Sequence, residues 1–305
     1  ATIVTAVETI TANDTTTAVS ITIDELTVAD GKTLHVDGSG LTTGVLTAVM
    51  SDDSNGINTV TGGGAADLIT GSGSDLGDTL TGGAGNDTFT FATANLTSLD
   101  TIAGGAGTDI LTFSDAETVV DADFTNVTSV ETYDSFAGAS TITLGPLATA
   151  AGIVTVNTGG TTASTVNIPA THTGDLTVTS EIAAESITAA ATYAGKLTVK
   201  TTADLQTTDT LTAGAGTSDT LIITATGTAM VANDLDTVTL FEIVDIAFNA
   251  AFSLTSAVEM IATGKSMAWT ASGMTTAALT LDVSEETDTT SSQTVTVLGT
   301  GAHII

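Results

Sequence analysis

The residues of this 305-residue chain that can do chemistry are carboxylates, and they recur at fixed distances from glycines. Residues 62–70 read GGGAADLIT, 71–81 read GSGSDLGDTLT, 82–90 read GGAGNDTFT and 104–112 read GGAGTDILT. The pattern G-G-x-G-x-D-x-U-x, with U a large apolar residue, is complete at 82–90 and 104–112. Ala65 replaces the fourth-position glycine at 62–70, and 71–81 carries two extra residues. DSNGINTVT (53–61) is a worn copy that keeps Gly56, Asn58 and Val60. NLTSLDTIA (95–103) keeps Asp100 and Ile102.

Paired glycines permit a tight turn with positive φ, where a Cβ would clash. Such a turn aims backbone carbonyls inward, and the aspartate adds a carboxylate. Two stacked turns then offer an all-oxygen cage of about six to eight ligands, a donor set that suits Ca²⁺. The candidate ligand positions are Asn58, Gly62, Gly64, Asp67, Gly71, Gly73, Asp75, Asp78, Gly82, Gly83, Gly85, Asp87, Asp100, Gly104, Gly105, Gly107 and Asp109. A flexible linker would also be rich in Gly, Ser and Asp, but it would lack an apolar residue at a fixed offset. Here Leu, Ile or Phe stands two places after the aspartate at 69, 80, 89, 102 and 111. That spacing returns each to the same face of a strand, pointing into a core.

These repeats resemble the RTX nonapeptide repeat, the calcium-binding β-roll of secreted bacterial proteins. The resemblance implies two nonapeptides per coil, so that a turn pairs with the next but one. It places one ion between 62–70 and 82–90 and another between 53–61 and 71–81. It also implies export through a type I channel with an uncleaved C-terminal signal, for which TVTVLGTGAHII (294–305) is the candidate. FTNVTSVETY (124–133) resembles the connector that follows such repeats in bacterial surface-layer proteins. From the residues alone, an ordinary strand pair with solvated acids is the safer reading.

The elements that must hold these turns are short strands. SITID (20–24) and TLHVD (33–37) alternate apolar and polar positions between acid-glycine turns. VTVN (154–157), TVNI (165–168), LTVT (176–179), SITA (186–189) and LTVK (197–200) start 11, 11, 10 and 11 residues apart. TLTA (210–213), TLII (220–223), FSLT (252–255), VEMI (258–261), MAWT (267–270), LTLD (279–282) and TVTV (294–297) continue the series. Such regularity beside the glycine-rich turns predicts a solenoid whose coils share one core. A short helix near 146–152 is the exception. The expected fold is all-β, a short calcium-binding parallel β-roll (RTX) continuous with an elongated β-solenoid. Its parts are an N-terminal β region (1–52), the roll (53–113) and a solenoid (114–305).

A second module is legible in that last part. AGAGTSDTLIIT (213–224) resembles GGAGTDILT, and DLDTVTLFEIVDI (234–246) resembles DFTNVTSVETYDS (123–135). Asp109 maps onto Asp219 and Glu131 onto Glu242, at shifts of 110 and 111 residues, which adds Asp219 to the candidate ligands.

Composition narrows the function. There are 4 basic against 35 acidic residues, a net charge of −31, with no arginine. Phosphate binding needs cations, so nucleic acid and anionic membranes are excluded as partners by charge. Hydrophobic residues make up 42%, too many for an acidic disordered chain. No apolar run is long enough to span a bilayer. Cysteine is absent, which removes disulfides and thiolate metal sites. The histidines His35, His172 and His303 are isolated, and there is no H-E-x-x-H or G-x-S-x-G. Aromatics are only 4%, so sugar-stacking platforms are scarce, and Trp269 reads as core. Asp52, Asp53, Asp115, Asp121 and Asp123 read as solvated turn acids before further calcium ligands.

Without divalent cations, carboxylate repulsion opposes compaction. A site held at about 100 times its Kd adds roughly 2.7 kcal/mol to the folded state. Extracellular calcium modules bind at about 10⁻⁴–10⁻³ M. The expectation is therefore a secreted, non-enzymatic protein that folds with Ca²⁺ and associates with copies of itself into a surface layer or filament. N-terminal residues 2–10 are a candidate strand for donation to a neighbour. A cell-surface glycan is the possible anchor. The alternative is a calcium-dependent adhesin for a glycan or host surface.

Overall fold

The computed structural model describes residues 8–13, 15–24, 28, 30–115, 118–135, 139–159, 163–180, 185–202, 205–206, 208–224, 235, 237–249, 252–255, 266–273, 275, 279–282 and 292–297. Among these, regular structure is nearly all parallel β, and the one α-helix is the short Pro146–Ala151. The chain forms two compact units, Ala1–Phe136 with Leu147–Ile153, and Ala137–Pro146 with Val154–Ile305.

The first unit is a parallel β-solenoid. The chain passes alternately through two sheets. One stacks Thr9–Thr11, Thr33–Asp37, Ile57–Thr61, Thr79–Ala84, Thr101–Ala106 and Val127–Thr128. The other stacks Val19–Asp24, Leu46–Asp52, Leu68–Thr70, Thr88–Phe91, Ile110–Phe113 and Thr132–Asp134. Repeat 62–70 therefore lies against 82–90, and 53–61 against 71–81, the next-but-one pairing. Of the N-terminal segment considered for donation, residues 2–7 lie outside the described residues. Thr9–Thr11 is paired within its own chain, with Thr33–Asp37.

The second unit winds the same way. Thr155–Thr158, Leu176–Ser180, Leu197–Thr201, Thr220–Ile223, Ile243–Ile246, Ser266–Ala271 and Ser292–Val297 form one sheet. Thr141–Thr143, Thr165–Ile168, Ser186–Ala189, Thr210–Thr212 and Val238–Thr239 form another. The register pairs Thr155 with Thr177, Thr177 with Thr198 and Thr198 with Thr220. The 11-residue step of the sequence is thus half a coil, with successive strands on alternate sheets. Phe252–Thr255 pairs with Leu279–Asp282, and VEMI (258–261) lies outside the described residues.

Alternation drives this packing. Along each strand one residue in two turns inward, and the register stacks the inward ones in columns. Ile69, Phe89, Leu111 and Tyr133 form one buried column, and Val60, Leu80, Ile102 and Val127 another. In the second unit Val156, Val178, Val199, Leu221, Val244 and Trp269 do the same. Each such side chain contributes about 1.5–3 kcal/mol on burial. Threonines take many of the outward positions, where a β-branched residue that tolerates water suits the pleat. Trp269 is core as its sequence context predicts, its Nε1–H donating to Gln293 Oε1 at 2.7 Å.

Candidate functional site

The aspartates of the glycine-rich repeats share one structural position, the residue just before a strand. There each carboxylate accepts the backbone N–H of its counterpart one coil earlier. Leu46 N–H donates to Asp67 Oδ1 at 2.7 Å, Asp67 N–H to Asp87 Oδ1 at 2.8 Å and Asp87 N–H to Asp109 Oδ1 at 2.7 Å. Asp109 N–H then donates to Glu131 Oε2 at 2.9 Å. A second ladder follows the other sheet, with Asn58 N–H on Asp78 Oδ1 at 3.0 Å and Asp78 N–H on Asp100 Oδ1 at 2.7 Å. Strand pairing holds neighbouring coils at fixed register, so an amide at the strand entrance always faces the acid of the next coil.

The second carboxylate oxygen divides the candidates. Asp67 Oδ2 accepts Gly63 N–H, Asp78 Oδ2 accepts Ser72 N–H, and Asp100 Oδ2 accepts the N–H and hydroxyl of Thr97. These three acids are satisfied by the protein itself. Asp87 Oδ2 and Asp109 Oδ2 are buried without a hydrogen-bond partner among the described residues, as is Asp219 Oδ2 in the second unit. Asp87 and Asp109 belong to the two repeats that meet the pattern in full.

Between 62–70 and the two complete repeats the backbone conformation differs. Gly83, Gly85, Gly105 and Gly107 have φ of +111°, +111°, +113° and +148°, a region closed to most L-residues. At 62–70 Ala65 stands in the fourth position, none of the turn residues is left-handed, and the Gly63 amide turns onto Asp67. Gly82 and Gly104 are needed for room. A Cβ on Gly82 would overlap Asp87 Oδ2, and one on Gly104 would overlap Asp109 Oδ2 and the Ser129 carbonyl. Gly62 is held likewise between Asp67 Oδ2 and the Gly82 carbonyl, and Gly64 lies against the Thr42 carbonyl. A Cβ on Gly71 would meet the Phe91 ring, whereas one on Gly73 would have ordinary space. Asp75 is exposed on its turn, outside the ladders. Asn58 joins the corner through its side chain, Nδ2 donating to Asp53 Oδ2 at 2.8 Å.

The electrostatics follow from burial. Burial pushes the Asp87 carboxyl up to about 6, with the charges of Asp109 and Asp67 adding to it. Asp78, Asp109 and Asp219 are raised for the same first reason. At Asp219 the Leu197 and Gly214 amides and the Lys196 charge offset part of it. A buried acceptor-only oxygen can be relieved by a proton or by a cation. The space at Gly82 is bounded by Asp87 Oδ2 and the Gly104 carbonyl, and that at Gly104 by Asp109 Oδ2 and the Ser129 carbonyl, an all-oxygen lining of the kind a hard cation takes. The carboxylates come singly at each corner, one per coil on each sheet. Among the described residues no three His, Cys, Asp or Glu side chains converge as a metal group. A cation here would rely on backbone carbonyls and on Oδ2 alone, since Oδ1 is committed to the ladder.

The second module repeats the geometry. Leu197 N–H donates to Asp219 Oδ1 at 2.7 Å and Asp219 N–H to Glu242 Oε2 at 2.9 Å, matching Asp87, Asp109 and Glu131. Ser129 and Leu240, each two residues before the glutamate, are both left-handed with φ of 53° and 67°. Glu131 and Glu242 therefore close their ladders, a role that periodicity alone does not reveal. Sequence reasoning also missed Glu185 and Asp209, which occupy the same pre-strand position on the other sheet of the second unit. Burial pushes Glu185 up to about 7; the Ser164 amide and Thr158 hydroxyl offset part of this and the Asp209 charge adds to it.

Other acids accept from backbone amides near and far in sequence. Asp53 accepts from Gly56 N–H, Asp115 from Thr93, Asp121 from Leu147 and Ala148 N–H, and Asp123 from Val120 N–H. Asp52 is exposed. His172 is buried with Nδ1 3.4 Å from the Gly145 carbonyl, and His303 lies outside the described residues. No described helix is long and apolar enough to cross a membrane. Comparison with protein families, with curated proteins and with solved structures returns no match.

Proposed function

We propose that this chain is a secreted structural protein of the RTX type, whose solenoid is completed by Ca²⁺ and which assembles with copies of itself on a cell surface. The observation that carries the reading is the pair of buried oxygens, Asp87 Oδ2 and Asp109 Oδ2, left without donors in the two complete glycine repeats. Asp87 and Asp109 would hold the ion through Oδ2, with carbonyl oxygens of the corners 82–85 and 104–107. The ion would supply positive charge where burial otherwise favours the protonated acid. The chain's own part is to fix the corner: left-handed glycines open it, the ladder amides orient each carboxylate, and the apolar columns lock the register.

Self-association has a separate support. Subunits of charge −31 repel one another unless cations lie between them. A parallel solenoid also ends in strands with unpaired edges, which invite a further strand. Electron microscopy of the purified chain in millimolar CaCl₂ and in EGTA tests the reading. Ordered sheets or filaments are expected with the ion and dispersed particles in chelator. The same assemblies in both would remove calcium from the mechanism.

A further inference from the structure

On the second sheet of the second unit, Ser140, Ser164, Glu185 and Asp209 each stand just before a strand, and the register stacks them in one column. All four are buried, with Glu185 only 1% exposed. Glu185 N–H donates to Asp209 Oδ1 at 2.8 Å, and Gln206 N–H donates to Asp209 Oδ2 at 2.8 Å. Asp209 is thus fully occupied. Glu185 is less well served: the Ser164 amide and the Thr158 hydroxyl lie beside its carboxylate, but neither Oε1 nor Oε2 closes a hydrogen bond of normal geometry among the described residues. A glutamate can close this ladder, as Glu131 and Glu242 do through Oε2. Glu185 has two buried oxygens without a well-formed hydrogen bond and a second acid one coil away.

We propose that Glu185 anchors a cation site of its own in the second unit, taking Ca²⁺ against both carboxylate oxygens with the Thr158 hydroxyl beside them and Asp209 supplying further negative charge. Every donor at hand is oxygen, the set chosen by hard cations rather than by zinc or copper. An unpaired carboxylate is costly to bury, and a cation removes that cost where no basic side chain among the described residues is paired with it. The site owes nothing to the glycine–aspartate pattern, which is missing around 185. It stands or falls separately from the corners at Asp87 and Asp109.

Counting bound Ca²⁺ on the full chain by equilibrium dialysis tests it. Glu185→Gln should bind one ion fewer than the native chain, whereas Asp87→Asn should retain the Glu185 ion. An unchanged count in folded Glu185→Gln would overturn the site and leave Glu185 as a buried neutral acid. Should that variant fail to fold, crystals of the native chain grown with SrCl₂ decide. An anomalous peak within about 2.3–2.6 Å of a Glu185 oxygen is the calcium-like distance expected. No peak there overturns the site, whatever is found at Asp87 and Asp109.

Discussion

The satisfied and unsatisfied aspartates should answer the same substitution differently. Asp67→Asn replaces one of two acceptors with an NH₂ group facing a backbone N–H. It should cost about 1–3 kcal/mol with or without calcium. Asp87→Asn keeps an acceptor for Asp67 N–H and removes a buried charge that lacks a donor. In EGTA it should melt no lower than the native chain, and in CaCl₂ it should lose most of the native gain. Circular dichroism melts of both variants check this, and equal responses would mean that the division between the two acids has no energetic content. Acid gives a second test. The Asp87 carboxyl rises from 3.8 to about 6 on folding, so between those values the folded chain holds more protons than the unfolded one. Its contribution to stability is present below 3.8 and is lost as pH rises through about 6. In chelator the melting temperature should be higher at pH 5 than at pH 7.5, and Asp87→Asn should flatten that slope. Calcium should reverse the order, because the ion requires the deprotonated acid.

At the scale of turns and strands, Ala65 is the informative departure. Ala65→Gly restores the complete pattern and permits a left-handed turn, which would free Asp67 Oδ2 from Gly63 N–H. One additional bound Ca²⁺ is expected by dialysis, and an unchanged count would show that other residues set the corner. Gly105→Ala tests the converse. With φ of +113° and the Gly83 carbonyl in the way, it should destabilise the first unit by about 1–3 kcal/mol. Much at this scale was legible in advance. Strand spans such as Thr33–Asp37 and Thr165–Ile168 coincide with the alternating runs, because alternation is what buries them. The apolar residue two places after each aspartate does reach the core. The ladder was not legible, because each of its bonds joins residues 20 to 23 apart, and no local pattern encodes such a partner. For the same reason the ladder role of Glu131 and the position of Glu185 were not legible, and Asp75 could not be told from Asp78.

For the whole chain the dominating quantity is the charge of −31. Added NaCl screens it over about 3 Å at 1 M but cannot fill a buried corner. By light scattering, the hydrodynamic radius in EGTA at low salt should exceed that in millimolar CaCl₂. NaCl should recover part of the difference only at much higher ionic strength. Equal effects at equal ionic strength would reduce calcium to a screening ion.

Every carboxylate bond in the ladders points the same way along the chain. The amide belongs to the earlier coil and the acid to the later one, from Leu46 and Asp67 through Asp109 and Glu131. A coil therefore cannot close its own entrance; it waits for the acid of the turn behind it. A polypeptide emerging amino terminus first, from a ribosome or a pore, would always trail one unfinished winding, about twenty residues deep, at the point of exit.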